Sequence, residues 1–261
     1  MEIISHPDFN VTPFLFLITG IVSGFLAGLL GIGGGILIVP ALAFLFSSLP
    51  HPFHSAVATS LAAISVTSFA SMRAHDRKGA VDWPTFRRIA PGILAGSLVA
   101  PLFSLAIPAE LLKAGFAAFA WFVAFRLFRQ AAPSPRPMPG SGILATAGVF
   151  IGALSALVGI GGGSLSVPFL AWRGLPLVRA IGTSAAIGFP ISAAGTLAYS
   201  LSGLIQIPAL LLLVSGSVLA VPAGAKLASK LPVPALRRLF AVLLFILGAR
   251  MLASVTLPSL P

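Results

Sequence analysis

Gly24–Leu42 reads GFLAGLLGIGGGILIVPAL and Gly152–Leu170 reads GALSALVGIGGGSLSVPFL, with 12 of the 19 positions identical at an offset of 128. A chain that repeats itself on this scale is read first as two copies of one unit. At an offset of 124 the copy continues: Ala56-Val57-Ala58-Thr59-Ser60 aligns with Ala180-Ile181-Gly182-Thr183-Ser184. Gly79 then meets Gly203, Gly92 meets Gly216, Pro108 meets Pro232, Phe116 meets Phe240 and Arg126 meets Arg250. Between the copies lies Gln130–Ser141 (QAAPSPRPMPGS), whose prolines and lack of apolar periodicity mark a linker. The expected organisation is a first repeat over 1–129, a cytoplasmic linker over 130–141 and a second repeat over 142–261, joined in one membrane domain.

The medium follows from composition. Hydrophobic residues are 57% of the chain and charged residues 8%, against roughly a quarter charged in soluble domains. Ile89–Ile107 and Leu239–Leu257 approach the ~20 apolar residues a helix needs to cross hydrocarbon. Continuous runs such as Ala209–Val214 exclude the alternation of an outer-membrane barrel. The fold class is therefore all-α, integral to the membrane. The net charge of +11 is scattered between apolar segments, which excludes a nucleic-acid face and leaves orientation signal as its meaning. Met1–Thr12 carries Glu2 and Asp8 but no Lys or Arg, unlike a signal-peptide n-region, so the first apolar segment is expected to be retained.

Each copy has a glycine-interrupted apolar segment (Pro13–Phe46; Gly142–Trp172) followed by three ordinary spans. The spans are Ala56–Met72, Ile89–Ile107 and Leu111–Phe128, then Ala180–Ser200, Ile207–Ala225 and Leu239–Leu257. The interrupted segments are too long for one relaxed span and too short for two. They fit either a tilted span or a hairpin of half-helices. Cytoplasmic loops concentrate Lys and Arg. With hairpins the halves have inverted topology, and 14 of the 16 basic residues fall on one side, leaving Lys113 and Arg250 on the other. With single spans they divide 9 to 7. The turn Arg73–Arg88 is basic while its repeat partner Leu197–Leu212 carries no charge. The expectation is two inverted repeats, each a glycine-broken hairpin plus three transmembrane helices, in a bacterial-type inner membrane with both termini outside the cytoplasm.

Two paired features are candidates for chemistry. The breaks Gly31-Ile32-Gly33-Gly34-Gly35 and Gly159-Ile160-Gly161-Gly162-Gly163 let the backbone turn and let its amides approach a ligand closely. The half-helix starts near Ile36 and Ser164 would then offer partial positive charge to an anion. Pro40 and Pro168 are expected to end or kink those short helices. Close packing of helices through small residues explains the glycines equally well one at a time, less well as a doubled five-residue motif. Thr59-Ser60 and Thr183-Ser184 could donate to the same anion or bond within their own helices. His75 is the candidate for proton coupling, although a solvated turn explains it as well.

Several classes are excluded. There is no cysteine, so no thiolate metal site or disulfide framework exists. GxGGG lacks the acidic residue of a dinucleotide fold and the Gly-Lys-Ser/Thr of a phosphate loop. His6, His51, His54 and His75 give no H-E-x-x-H spacing, so no metal, cofactor or catalytic residue is assigned and no enzyme is expected. Asp76, Asp82 and Glu110 all map to turns, which argues against cations and for anions. The expected partners are a small anion and the lipid bilayer; proton coupling and a homo-oligomer are left open.

The twin motifs GLLGIGGGILIVPAL and ALVGIGGGSLSVPFL, the paired ATS and GTS segments, and the turns KGAVDW and SGLIQIP together resemble the TauE/SafE family of permeases, along nearly the whole chain. That resemblance implies transport, without ATP, of small sulfur-containing anions such as sulfite or organosulfonates, with an anion channel or a small-carboxylate carrier as alternatives. Carried onto matching positions, it makes Gly33, Gly34, Gly35, Gly161, Gly162, Gly163, Pro40, Pro168, Thr59, Ser60, Thr183 and Ser184 candidate substrate contacts. Gln206 stands where the first copy has Asp82, a departure within the repeat.

Overall fold

A computed structural model describes residues 12–30, 34–128, 140–228 and 233–256. Gly33 and most of the linker, residues 130–139, lie outside the described residues. In chain order the helices are α1 (Thr12–Leu30), α2 (Gly35–Leu45), α3 (Pro52–Asp76), α4 (Trp83–Val99) with a 3-10 extension (Ala100–Ala106), and α5 (Ala109–Phe128). They are followed by α6 (Ser141–Val158), α7 (Gly163–Trp172), α8 (Leu177–Ser200), α9 (Ile207–Ala228) and α10 (Val233–Thr256). Each half is thus a long helix, a short helix and three long ones. No strand occurs among the described residues.

Five of the helices are long and apolar enough to cross a membrane: Pro52–Asp76, Trp83–Ala106, Ser141–Val158, Val178–Ser200 and Ile207–Gly224. They differ in burial. The apolar windows of α3 and α8 are 61% and 67% buried, whereas those of α6 and α9 are 33% buried, so α3 and α8 form the centre and α6 and α9 the flanks. Outward-facing Phe14, Phe103, Phe150, Leu201, Leu211 and Leu219 coat the surface with apolar side chains, as a lipid-facing bundle requires.

Helix pairing follows the repeat. α1 packs on α9 and α4 on α6, an exchange of equivalent helices between halves, while α3 packs on its counterpart α8 and α5 on its counterpart α10. Glycines set the exchanged contacts. Gly20 and Gly24 of α1 lie against Leu213 and Ser217 of α9, and Gly216 lies against Leu17 and Ile21. In the other exchanged pair Gly148 and Gly152 of α6 lie against Ile89 and Ile93, and Gly92 and Gly96 of α4 lie against Ala145, Val149 and Ala153. A Cβ on Gly92 would overlap the Ala145 carbonyl oxygen, so only glycine admits this backbone approach.

The same contacts give direction. Positions rise together along α1 and α9 and along α4 and α6, so each exchanged pair is parallel. Along α3 and α8 they run oppositely: Leu61 meets Gly195, Ser65 meets Thr196 and Phe69 meets Phe189. Along α5 and α10, Trp121 stacks on Phe245 and Ala117 faces Gly248, again antiparallel. Within the first half α2 folds back along α1, placing Gly34 beside Ser23 and the Phe46 ring 5.7 Å from that of Phe16.

Two core clusters mirror each other through the repeat. One joins Phe16, Leu42, Ala56, Ala63 and Leu213, and the other Leu144, Leu170, Ala180, Ile187 and Ile89. Of the two outcomes expected for Pro40 and Pro168, an end or a kink, the end does not occur: α2 runs on to Leu45 and α7 to Trp172. Each proline stands mid-helix, past the first turn, and the helix bond it removes is offset by burial of the apolar turn beyond it, such as Leu42 at 0% exposure.

Candidate functional site

The chain cannot remain helical through Gly159–Gly162. α6 ends on Gly159 with φ 75°, and α7 is preceded by Gly162 with φ 71°, both left-handed conformations that glycine adopts without a Cβ penalty. The amides of Gly162 and Gly163 turn back onto the carbonyls of Ile160 and Gly161 at 2.6 and 2.8 Å. Gly34, its first-half counterpart, has φ −65° and is right-handed, and its carbonyl takes the amides of Leu37 and Ile38.

The two glycine segments meet in space. A Cβ on Gly35, at the start of α2, would stand 2.5 Å from the Gly159 carbonyl and 3.3 Å from the Ile160 Cα. Gly35 and Ile36 are buried there, together with Gly159–Gly163. α3 and α8 each run a stripe of positions four apart past this meeting point. On α3 the stripe is Ser60, Ile64 and Ser68. The Ser60 hydroxyl donates to the Gly159 carbonyl at 3.2 Å, Ile64 lies against Gly35 and Gly161, and Ser68 faces Gly161 and Gly188. On α8 the stripe is Ser184, Gly188 and Ser192. The Ser184 hydroxyl donates to the Gly163 carbonyl at 3.3 Å and shares a hydrogen bond with the Ser166 hydroxyl at 2.7 Å. Ser166 also bonds the Gly162 carbonyl. Gly188 lies against the Gly161 carbonyl.

Thr59 and Thr183 are placed differently. Thr59 Oγ1 accepts the Gln206 amide at 3.0 Å and Thr183 Oγ1 accepts the Asp82 amide at 2.8 Å. Each threonine thereby pins the turn that precedes the opposite half's long helix. His75 lies in the last turn of α3, seven residues beyond Ser68 or about 10 Å of helix rise. Ser164 and Pro168 belong to α7, but their side chains lie outside the described part.

Sequence reasoning missed Ser68 and Gly188. The signal was present, since Ser68 aligns with Ser192 at the 124-residue offset and both repeat the spacing of Ser60 and Ser184. Among the described residues the buried side chains with polar atoms are Ser, Thr, His54 and Tyr199; no buried Lys, Arg, Asp or Glu occurs. No group of carboxylates and histidines that could hold a metal occurs among them either. What the meeting point offers is backbone amides, backbone carbonyls and hydroxyls that can turn to donate or accept.

A family model described as sulfite exporter TauE/SafE matches residues 16–251. A probable membrane transporter protein of Haemophilus influenzae is 32% identical over 91% of this chain and 97% of its own length. Probable membrane transporter proteins of Methanocaldococcus jannaschii (MJ0441) and Bacillus subtilis (YunE) are 29% and 28% identical, each over 91% of this chain. They span 94% and 96% of their own lengths. No solved structure matches. The doubled glycine motif, the helical bundle and these whole-length similarities make the chain a membrane transporter of the TauE/SafE family.

Proposed function

We propose that the chain is a secondary transporter of small sulfur-containing anions such as sulfite or organosulfonates. It alternates access by moving one half against the other. The anion is held where the two glycine breaks meet, by amides at the half-helix starts near Ile36 and Ser164 and by the hydroxyls of Ser60 and Ser184. The observation that carries the reading is the convergence of Gly35 on Gly159 beside the Ser60–Gly159 and Ser184–Gly163 contacts, in a core with no buried carboxylate among the described residues. Amides and hydroxyls stabilise an anion without the desolvation cost of burying a lysine or arginine. A divalent cation would call for carboxylates, and none is buried among the described residues.

Inversion of the halves is supported by the antiparallel course of α3 against α8 and of α5 against α10, and by the return of α2 along α1. The opposite course of α3 and α8 fits a second glycine-broken segment that leaves the membrane on the side it entered, and the return of α2 along α1 fits the same for the first. This agrees with the 14-to-2 division of basic residues. Both chain termini then face away from the cytoplasm, and a C-terminal reporter that is active only in the cytoplasm stays silent.

The test is uptake of sulfite, taurine, sulfoacetate and carboxylate analogues by purified protein in liposomes. Saturable uptake of a sulfur anion with counterflow is expected. Flux without counterflow would make it a channel, and uptake of carboxylates alone would overturn the sulfur-anion assignment.

A further inference from the structure

At the meeting point of the glycine breaks most hydroxyls are already engaged. Ser60 and Ser184 donate to the Gly159 and Gly163 carbonyls, Ser166 bonds the Gly162 carbonyl, and Ser192 donates to the Gly188 carbonyl at 2.8 Å. Ser68 is different. It is buried at 6% exposure, and its hydroxyl makes no hydrogen bond among the described residues. A Cβ on Gly188 would stand 3.2 Å from that oxygen and one on Gly161 3.7 Å from it, so the hydroxyl lies against the second break. A serine inside a helix ordinarily returns its hydroxyl to a carbonyl three or four residues back. Ser65, Thr67 and Thr196 do so on these same two helices. The carbonyl four residues before Ser68 is that of Ile64, and Thr67 donates to it at 3.1 Å.

The repeat does not impose this arrangement on both halves. At the 124-residue offset Ser68 corresponds to Ser192, which is tied into its own helix, and Gly188 corresponds to Ile64. The Ile64 side chain, 0% exposed, fills the space beside Gly35 and Gly161. Gly188 puts no side chain over the Ser68 hydroxyl. The break also carries an unengaged donor next to Ser68. The amides of Gly162 and Gly163 turn back onto carbonyls, but the amide of Gly161 meets no backbone carbonyl among the described residues. Leaving a donor this deeply buried without a partner is costly, so such a group calls for an occupant that comes and goes.

We propose that Ser68 is a direct contact of the transported anion, and that the cargo is gripped by this hydroxyl and not by its repeat counterpart Ser192. The proposal rests on the reading of the meeting point as the anion site. To donate to an anion, Ser60 and Ser184 must each give up a carbonyl, whereas Ser68 gives up nothing. Ser68 stands about 12 Å of helix rise beyond Ser60 and five residues before Arg73. The grip is therefore displaced along α3 toward the basic turn, and the site is one-sided although the fold that builds it is repeated.

The test uses the full chain, in detergent and in liposomes, with sulfite and taurine as probes. Ser68→Ala is expected to melt no lower than wild type without anion, since no bond within the protein is lost. Its KM for the transported anion is expected to rise about tenfold. Ser192→Ala is expected to keep its KM within about twofold of wild type. An unchanged KM in Ser68→Ala, or an equal rise in Ser192→Ala, overturns the proposal and leaves the anion site itself standing. A second readout needs no transported substrate. The chain has no cysteine, so Ser68→Cys and Ser192→Cys each carry a single thiol. The anionic reagent 2-sulfonatoethyl methanethiosulfonate forms a mixed disulfide with the thiolate and releases methanesulfinate. Ser68→Cys is expected to react about tenfold faster than Ser192→Cys, and that result supports the one-sided grip even if neither sulfite nor taurine is the cargo. Equal rates overturn it.

Discussion

In α3 the hydroxyl of Thr59 takes the amide of Gln206, and in α8 the hydroxyl of Thr183 takes the amide of Asp82. One position further on, the correspondence fades. Ser60 reaches across to the Gly159 carbonyl of the other half, whereas Ser184 bonds Gly163 and Ser166 of its own half. The counterpart of Ser166 is Ile38, which has no hydroxyl to offer. The threonines repeat because both turns must be pinned for the bundle to close. The divergence of the serines is what the proposed site calls for, since a small ligand between the halves would not meet two identical walls. Symmetry therefore marks scaffold, and departure from it marks the place where the halves do different work.

The comparison breaks if scaffold substitutions prove unequal between halves. Gly92→Val and Gly216→Val would each drive a side chain into the backbone of the neighbouring helix, at Ala145 and Leu17 respectively. Because those neighbours are carbonyls and not flexible side chains, the cost should reach or exceed the ~1–3 kcal/mol of ordinary overpacking. Both variants should lose most of their folded yield on size-exclusion chromatography. A folded Gly92→Val protein beside an unfolded Gly216→Val protein would mean that only one exchanged helix pair is structural. Next in size, Thr59→Val and Thr183→Val each strand a backbone amide, at about 1–3 kcal/mol. The expected result is matched falls in melting temperature in detergent, with the sulfite KM of the surviving protein unchanged.

The serines sharpen the comparison from the other side. Ser184→Ala should raise the sulfite KM about fivefold to tenfold, the equivalent of one hydrogen bond of roughly 1–1.4 kcal/mol. Ser166→Ala added to it should do little more, since the two hydroxyls act as one unit. Ser60→Ala should raise KM as well, whereas Ile38→Ser, which supplies the missing hydroxyl, should alter the preference between sulfite and bulkier sulfonates. Equal and additive effects of Ser60→Ala, Ser166→Ala and Ser184→Ala would remove the asymmetry.

Much of this architecture was legible because lipid imposes few solutions. A repeat of glycine-broken segments and apolar spans admits only helices, and the helices fall where the spans were read: α3, α4, α5, α8, α9 and α10. The exchange of α1 and α6 between halves was not legible, although Gly20, Gly24, Gly148 and Gly152 stand in plain view. Glycine spacing announces a close contact without naming its partner. Pro40 is a residue expected to end or kink its helix, since proline removes a helix bond, yet α2 runs on past it and buries Leu42. The role of Thr59 was invisible for a similar reason. Its partner is a backbone amide 147 positions away, and an amide leaves no trace in residue type.

The smallest effects lie at the turns the threonines pin, where the repeat itself differs. Asp82 precedes α4 and its Oδ2 accepts the Thr85 amide at 3.2 Å, so it caps that helix as well as donating its own amide to Thr183. Gln206 donates its amide to Thr59 in the same way, but glutamine is a poor helix cap. Asp82→Ala should therefore cost about 1 kcal/mol, and Gln206→Ala distinctly less, measured as melting temperature in detergent. Asp82 also meets Arg179 at 3.5 Å, but that side chain is 56% exposed. An exposed pair of this kind contributes little, so Arg179→Ala should be nearly silent and Asp82→Asn, which keeps the cap and loses the charge, should melt like wild type. If Asp82→Asn instead melts as low as Asp82→Ala, the charge and not the cap holds the turn. The difference between the two turns would then be electrostatic, and would belong with the basic residues of Arg73–Arg88, a turn whose repeat partner Leu197–Leu212 carries no charge.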